Sequence, residues 1–434
     1  MSTAEPLATP VGAAFDRMPF TRRHWALAAA LFGAFVLDSW EVVSLVYVQG
    51  DLKASLGLDD AQVGLVLSAL SFGMIPGAFL WGPVADRIGR GRACTVSMLA
   101  YAVLAALCSF APDATVLVGL RVLAGLAFAG VYTITFPYFL ELMPTKHRGA
   151  AAVVLSMGWP VGLLLAIGAS ALIRDWSLQL LVAAAAVGAW AFVLRAVVPE
   201  SPYWLVARGQ HERARQVLHT LASPDADAEL TTGGGRVGNP LDLFRGGLAR
   251  VAVPALLINF TFAWGYWGLQ NWLPTLVQQR GLSLDGSLAF AALSAVMMIP
   301  GYLSASWLTA RHGRRPVFLA YVVLACVGGF VFAAADSPAQ LYLGNFTLAF
   351  FSLGAWGVWN TWNGEFYPTA ARGTGASASV GVQLLASAVA PSVIGVLLAQ
   401  TSGFTPIMLI INAFLAVTAL LALLLPETEG TSLR

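Results

Sequence analysis

Long apolar runs, interrupted at intervals by short clusters of arginine, glycine and acidic residues, dominate the chain. A helix needs about 20 mostly apolar residues to cross a hydrocarbon core about 30 Å thick. Runs of that kind cover 25–47, 63–84, 95–111, 116–139, 151–172, 178–198, 251–277, 288–309, 317–335, 341–362, 375–398 and 406–425, so the pattern predicts an all-α membrane protein of twelve transmembrane helices. One long polar break, 199–250, separates the sixth run from the seventh. It holds an amphipathic piece, HERARQVLHTLA (211–222), and a glycine-rich TTGGG, and it lacks a GxxxxGK[ST] phosphate loop. The expected organisation is an N-terminal six-helix bundle over 1–199, a central loop with a surface helix and flexible linker over 200–249, and a C-terminal six-helix bundle over 250–434.

Composition agrees with the pattern. Hydrophobic residues make up 58% of the 434 positions and charged residues 11%, against about 25% charged in soluble domains. A net charge of +2 without a basic run gives no footprint for nucleic acid. Cys94, Cys108 and Cys326 sit in apolar runs without CxxC spacing, so they read as packing residues, and no metal or cofactor is implied. The first apolar run is too long for a cleaved signal and is expected to be the first span. With the N-terminus in the cytoplasm, Arg17, Arg22, Arg23, Arg87, Arg90, Arg92, Lys146, Arg148, Arg311, Arg314, Arg315 and Arg372 share one side with the central segment, leaving Lys53, Arg174 and Arg280 opposite. By the positive-inside rule both termini are expected in the cytoplasm.

The chain repeats itself. DRIGRGR after the second span matches ARHGRRP after the eighth, aligning Gly89 with Gly313, and ELMPTKHRG after the fourth matches EFYPTAARG after the tenth. The offsets agree, since 313 minus 89 and 365 minus 141 both give 224. Two motifs at one offset indicate two homologous six-helix halves. With GPVADRIGRGR (82–92) between spans two and three, the chain resembles the major facilitator superfamily, which implies two pseudo-symmetric bundles working by alternating access. Asp86 among Arg87 and Arg90, Glu141 with Arg148, and Arg314, Glu365 and Arg372 in the second half are candidates for a charge-network gate. Ala310 replaces the counterpart of Asp86, so the gate there is expected to be weaker.

Only Asp38, Glu41 and Arg121 fall deep within spans, where ionisable residues are costly and functional by default. The spacing of three puts both acids on one helix face. Two negative charges close together in low dielectric favour taking a proton on one of them, and Arg121 opposes that until substrate or a conformational change intervenes. Asp38, 13 residues into its span, and Arg121, 5 residues into a span of opposite direction, lie at similar depth. His24, His147, His211, His219 and His312 map to span ends or loops, so carboxylates must carry any proton.

The seventh span reads NFTFAWGYWGLQNWLP and the tenth GAWGVWNTWNGE. Interfacial belts account for Trp25, Trp81, Trp176 and Trp362. Trp264, Trp267, Trp356 and Trp359 lie inside spans beside glycines, and with Tyr266, Asn271, Asn360 and Gln383 they suggest a cavity for a planar substrate. Pro254, Pro274 and Pro300 are expected to break their helices. Arg121 has no opposite number, because 121 plus 224 is Asn345, and a lone guanidinium suits an anion.

LDSWE (37–41), GYWGLQNWLP (265–274) and EFYPTAARGTG (365–375) resemble the aromatic acid:proton symporters and the bacterial niacin and synaptic-vesicle-type carriers, with Ser39 and Glu41 departing from the usual glycine and second aspartate. The resemblance implies proton-coupled import of a small organic anion, an aromatic or heteroaromatic carboxylate, in which both acids and Arg121 are needed. The bilayer, protons and the substrate are the expected partners, in a bacterial-type inner membrane and as a monomer. PESPYWL and PETEGTS are shared with sugar and organic-ion porters, and GWPVG (158–162) partly matches drug:proton antiporters. The rival readings are therefore a proton-driven exporter of drugs or organic cations and a sugar-type porter. An enzyme is not expected, since no nucleophile and base cluster appears.

Overall fold

The computed structural model describes residues 9–226, 230–231, 243–367, 372–400 and 403–428. Among them are twelve helices long and apolar enough to cross a membrane. In chain order, α1 (Ala13–Asp16) precedes the first span, α2 (Arg22–Val43), which continues through a tight turn into α3 (Gln49–Leu56). There follow α4 (Asp60–Ile88), α5 (Arg90–Cys108), α6 (Ala114–Glu141), α7 (Arg148–Ser156), α8 (Gly158–Leu172) and α9 (Trp176–Val197). The central segment carries α10 (Pro202–Ala207) and α11 (His211–Thr220). The second half comprises α12 (Gly246–Gln278), α13 (Leu284–His312), α14 (Arg314–Ala333), α15 (Pro338–Glu365), α16 (Arg372–Gln400) and α17 (Phe404–Ala422).

The repeat is visible helix by helix. The first residues of α2, α4, α5, α6 and α7, at 22, 60, 90, 114 and 148, recur 224 positions later as those of α12, α13, α14, α15 and α16. Side-chain caps fix several of these starts: Asp59, Asp113, Asp175 and Ser283 each accept a backbone N–H of the first turn. Within each half, glycines let spans cross at close range. A Cβ on Gly73 would stand 1.9 Å from the Val122 carbonyl oxygen, and one on Gly125 equally close to that of Leu70, which locks α4 against α6. Gly301 against Phe350 repeats the contact of Gly77 with Leu126.

Several local expectations need revision. Pro254, Pro274 and Pro300 lie inside continuous helices, and the interruption falls instead at Met157, between α7 and α8, just before Pro160. Neighbouring helices re-satisfy the backbone groups a proline frees, so proline alone does not dictate a break in a bundle. Of the four tryptophans assigned to the interface, Trp25 is exposed, but Trp81, Trp176 and Trp362 are buried. Trp81 and Trp362 spend their N–H groups on the carbonyls of Leu126 and Pro426. The polar N-terminal stretch also packs: Phe15 is fully buried and stacks on Tyr203, and Thr9–Pro10 pairs in parallel with Leu230–Thr231.

The halves meet firmly at the arginine-poor end. A Cβ on Gly64 would lie 2.6 Å from the Pro391 carbonyl, and Ser392 Oγ donates to Ser68 Oγ at 2.8 Å. Gln49 donates to Thr275 at 2.7 Å, and Arg174 bonds Asp285 at 2.5 Å.

Candidate functional site

Asp38 and Glu41, one turn apart on α2, are 4% and 0% exposed, and Arg121 on α6 is 2% exposed. The fold brings all three together with a fourth group. Tyr101 of α5, itself buried, donates its hydroxyl hydrogen to Glu41 Oε2 and packs its ring 4.8 Å from that of Phe128. The Arg121 charge acts on both Glu41 and Tyr101, and that of Asp38 on Tyr132 and Cys94. Yet Arg121 makes no ion pair within 4.0 Å of either acid among the described residues, and Asp38 Oδ1, Glu41 Oε1 and Arg121 Nε are buried without hydrogen-bond partners. A closed ion pair among these three is therefore absent from this state among the described residues, where one guanidinium and two carboxyl groups share the site. Buried polar groups are normally satisfied, so three open valences at one place mark a site built to receive something.

The equivalent place in the second half is neutral. Asp38, Glu41 and Arg121 correspond by the 224 offset to Phe262, Gly265 and Asn345. There Asn345 donates to Ser294 beside a cavity of about 30 Å³ lined by Gly265, Ser352 and Met298. Charge at mid-depth belongs to one half only.

Aromatic rings close the space between the halves. Trp159, next to the break at Met157, donates its indole N–H to the Tyr266 hydroxyl at 2.6 Å and meets the Trp267 ring edge-on at 5.4 Å. Tyr266 in turn lies 5.7 Å from Trp356, and Gln270 donates to Tyr47 of the first half at 3.1 Å. Three of the sequence candidates, Tyr266, Trp267 and Trp356, thus form one half-buried cluster facing the first half. Trp264 and Trp359 do not join it: Trp264 stacks on Phe414 at 3.9 Å, and Trp359 is fully buried against Phe318. Trp359 and Gln383 both donate to Asn259 Oδ1, at 2.9 and 2.6 Å. Asn271 donates to the Trp267 carbonyl, and Asn360 is exposed. Trp159, Tyr101, Asn259 and Gln270 were not named from the sequence: Trp159 and Tyr101 lie in spans without a charge or indole pair, and Asn259 and Gln270 stand in the aromatic seventh span, where nothing local separates an amide that bonds across helices from its neighbours.

At the arginine-rich end, Asp86 pairs with Arg90 at 2.6 Å, and Arg90 reaches Glu141 at 3.7 Å. Arg148 is not part of this set. It donates to the Met143 carbonyl and the Tyr203 hydroxyl and lies over the Phe15 ring, because the N-terminal segment covers it. Arg87 is exposed, with its carbonyl accepting from Arg208. In the second half Arg314 and Glu365, the counterparts of Arg90 and Glu141, stand 3.0 Å apart. That pair is closer than its equivalent despite Ala310. The Arg372 side chain lies outside the described residues.

Twelve apolar helices, an internal repeat and a charged site buried at mid-depth define a membrane transporter of the major facilitator fold. The profile of the "Sugar (and other) transporter" family matches residues 15–434, and the chain belongs to that family. It is 27% identical to the niacin transporter NiaP of Acinetobacter baylyi, with 96% of this chain and 97% of the relative covered. It is equally 27% identical to the 4-hydroxybenzoate transporter PcaK of the same organism, over 95% and 94% of the two chains. Among solved structures, the partially occluded inward-open xylose transporter XylE of E. coli superposes with a TM-score of 0.78 at 17% identity, covering 95% of this chain and all of that one.

Proposed function

We propose that this transporter imports a small aromatic or heteroaromatic carboxylate together with protons. The observation that carries the proposal is the open cluster of Asp38, Glu41, Tyr101 and Arg121, in which buried charges face one another without closing a pair. An uncompensated charge in low dielectric is expensive; a proton on one carboxylate neutralises the empty site, and a second proton on the other offsets the charge of a substrate carboxylate on Arg121. Arginine grips carboxylates through paired N–H groups. The rings of Trp159, Tyr266, Trp267 and Trp356 offer flat faces for an aromatic body. The two bacterial relatives, named for niacin and 4-hydroxybenzoate, support this substrate class. The arginine distribution supports both termini in the cytoplasm, and the bacterial relatives support a bacterial-type inner membrane.

One observation favours a second reading: Asp38 holds no ion pair among the described residues, so an organic cation could take the place offered here to a proton, as in an exporter. Proteoliposomes separate the two. Labelled 4-hydroxybenzoate or nicotinate should accumulate under an inside-alkaline gradient and leak away when a protonophore is added. Accumulation of an organic cation under an inside-acidic gradient, with no carboxylate uptake, would establish the second reading instead.

A further inference from the structure

Outside the transport pathway, a cavity of about 280 Å³ opens at the arginine-rich end between the start of α5, the end of α9 and the central helix α11. Its walls carry three guanidinium groups from three separate helices: Arg92, Arg195 and Arg213. One carboxylate, Glu200, shares the cavity, but it is already engaged by the backbone N–H groups of Gly91 and Ser201, each at 3.1 Å. Arg92 and Arg195 have no ion pair or hydrogen bond among the described residues, and Arg213 donates only to Gln210. The Trp204 indole is pinned to the Asp86 carbonyl and forms a flat apolar wall. Three exposed guanidinium groups around one concavity outnumber its single carboxylate and give it a positive potential that attracts anions.

The position of the cavity says which anion. It lies at the level where one span begins and another ends, and α9 continues from it as an outward apolar strip of Phe192, Val193 and Val197, exposed at 66%, 39% and 38%. A phosphate with hydrocarbon attached satisfies both features: the phosphate sits among the arginines and its chains lie along α9. We infer that this cavity is a binding site for the phosphate headgroup of an anionic membrane lipid. Arginine suits the planar, multi-oxygen geometry of a phosphate, and basic pockets at this depth are suited to anionic headgroups. Because α11 and α10 belong to the central segment and α5 and α9 to the first half, an occupied site ties the central segment to the bundle above it.

The test uses the purified full-length chain in neutral detergent, with thermal melting followed during separate additions of phosphatidylglycerol, phosphatidylcholine and inorganic phosphate. Phosphatidylglycerol should raise the melting temperature, and the other two should not. Each arginine near a surface contributes about a fivefold preference for anionic lipid, so Arg195→Gln with Arg213→Gln should raise the half-saturating phosphatidylglycerol concentration roughly 30-fold. Arg311→Gln, at the same end but over Trp307 in the second half, should leave it unchanged. If the double variant fails to fold, the single variants, at about fivefold each, read the same effect. An equal response to phosphatidylcholine, a response to inorganic phosphate alone, an undiminished response in the arginine variants, or an equal loss in Arg311→Gln would each overturn the assignment.

Discussion

Glu41 accepts a hydrogen bond from Tyr101 on one oxygen and keeps the other buried without a partner, so it stands where adding or removing a proton changes most. Glu41→Gln keeps the shape and removes the exchangeable charge. Uptake driven by a pH gradient should stop, while exchange of labelled for unlabelled substrate across vesicles without a gradient should persist; loss of both, or of neither, contradicts the role. Tyr101→Phe deletes a hydrogen bond to a carboxylate, an interaction of about 1.5–3 kcal/mol. Initial rates of gradient-driven uptake should fall at least tenfold, and an unchanged rate would make the tyrosine a packing residue. The sequence announced the acids because charge within an apolar run is conspicuous. Tyr101 was invisible there, since a single tyrosine in a span looks the same whether it fills space or donates a proton.

Among the elements, helix contacts set by glycine carry the most stringent geometry. Gly125 places α6 against the α4 backbone at a distance where any side chain collides with the Leu70 carbonyl. Overpacking of this kind costs about 1–3 kcal/mol, so Gly125→Ala should lower the melting temperature by several degrees, whereas Gly119→Ala on the same helix, where a Cβ meets nothing within 4 Å, should not. Equal melting of the two variants would show that the crossing yields freely. Span number, span length and the 224-residue repeat were all legible in advance, because hydropathy and repeated turn motifs are properties of local sequence. The break at Met157 was not, since a proline only permits a break and the packing around it decides. Three of the four tryptophans assigned to the interface were misplaced for a related reason: an indole at a span end meets water or a neighbouring carbonyl according to what the fold puts beside it.

At the scale of the molecule, closure of the arginine-poor end rests on Gly64 and Gly395 rather than on the Arg174–Asp285 pair, whose exposure to solvent leaves it weak. Gly64→Leu cannot fit against the Pro391 carbonyl and should shift the carrier toward a state opened at that end. A cysteine placed at Ser68, which now hydrogen-bonds Ser392 across the halves, should then react faster with a membrane-impermeant thiol reagent; an unaltered rate would mean that another contact holds the end shut. Twelve spans in two related halves, and two acids and an arginine at similar depth, are readable from the residues alone, because burial cost and periodicity act along a single helix. Helix packing is what gathers these ionisable groups without pairing them, sets Trp159 against the aromatic cluster from the first half and turns Arg148 toward the N-terminal segment. Those outcomes depend on which helix faces which, and a pattern read along one chain direction carries no information about that choice.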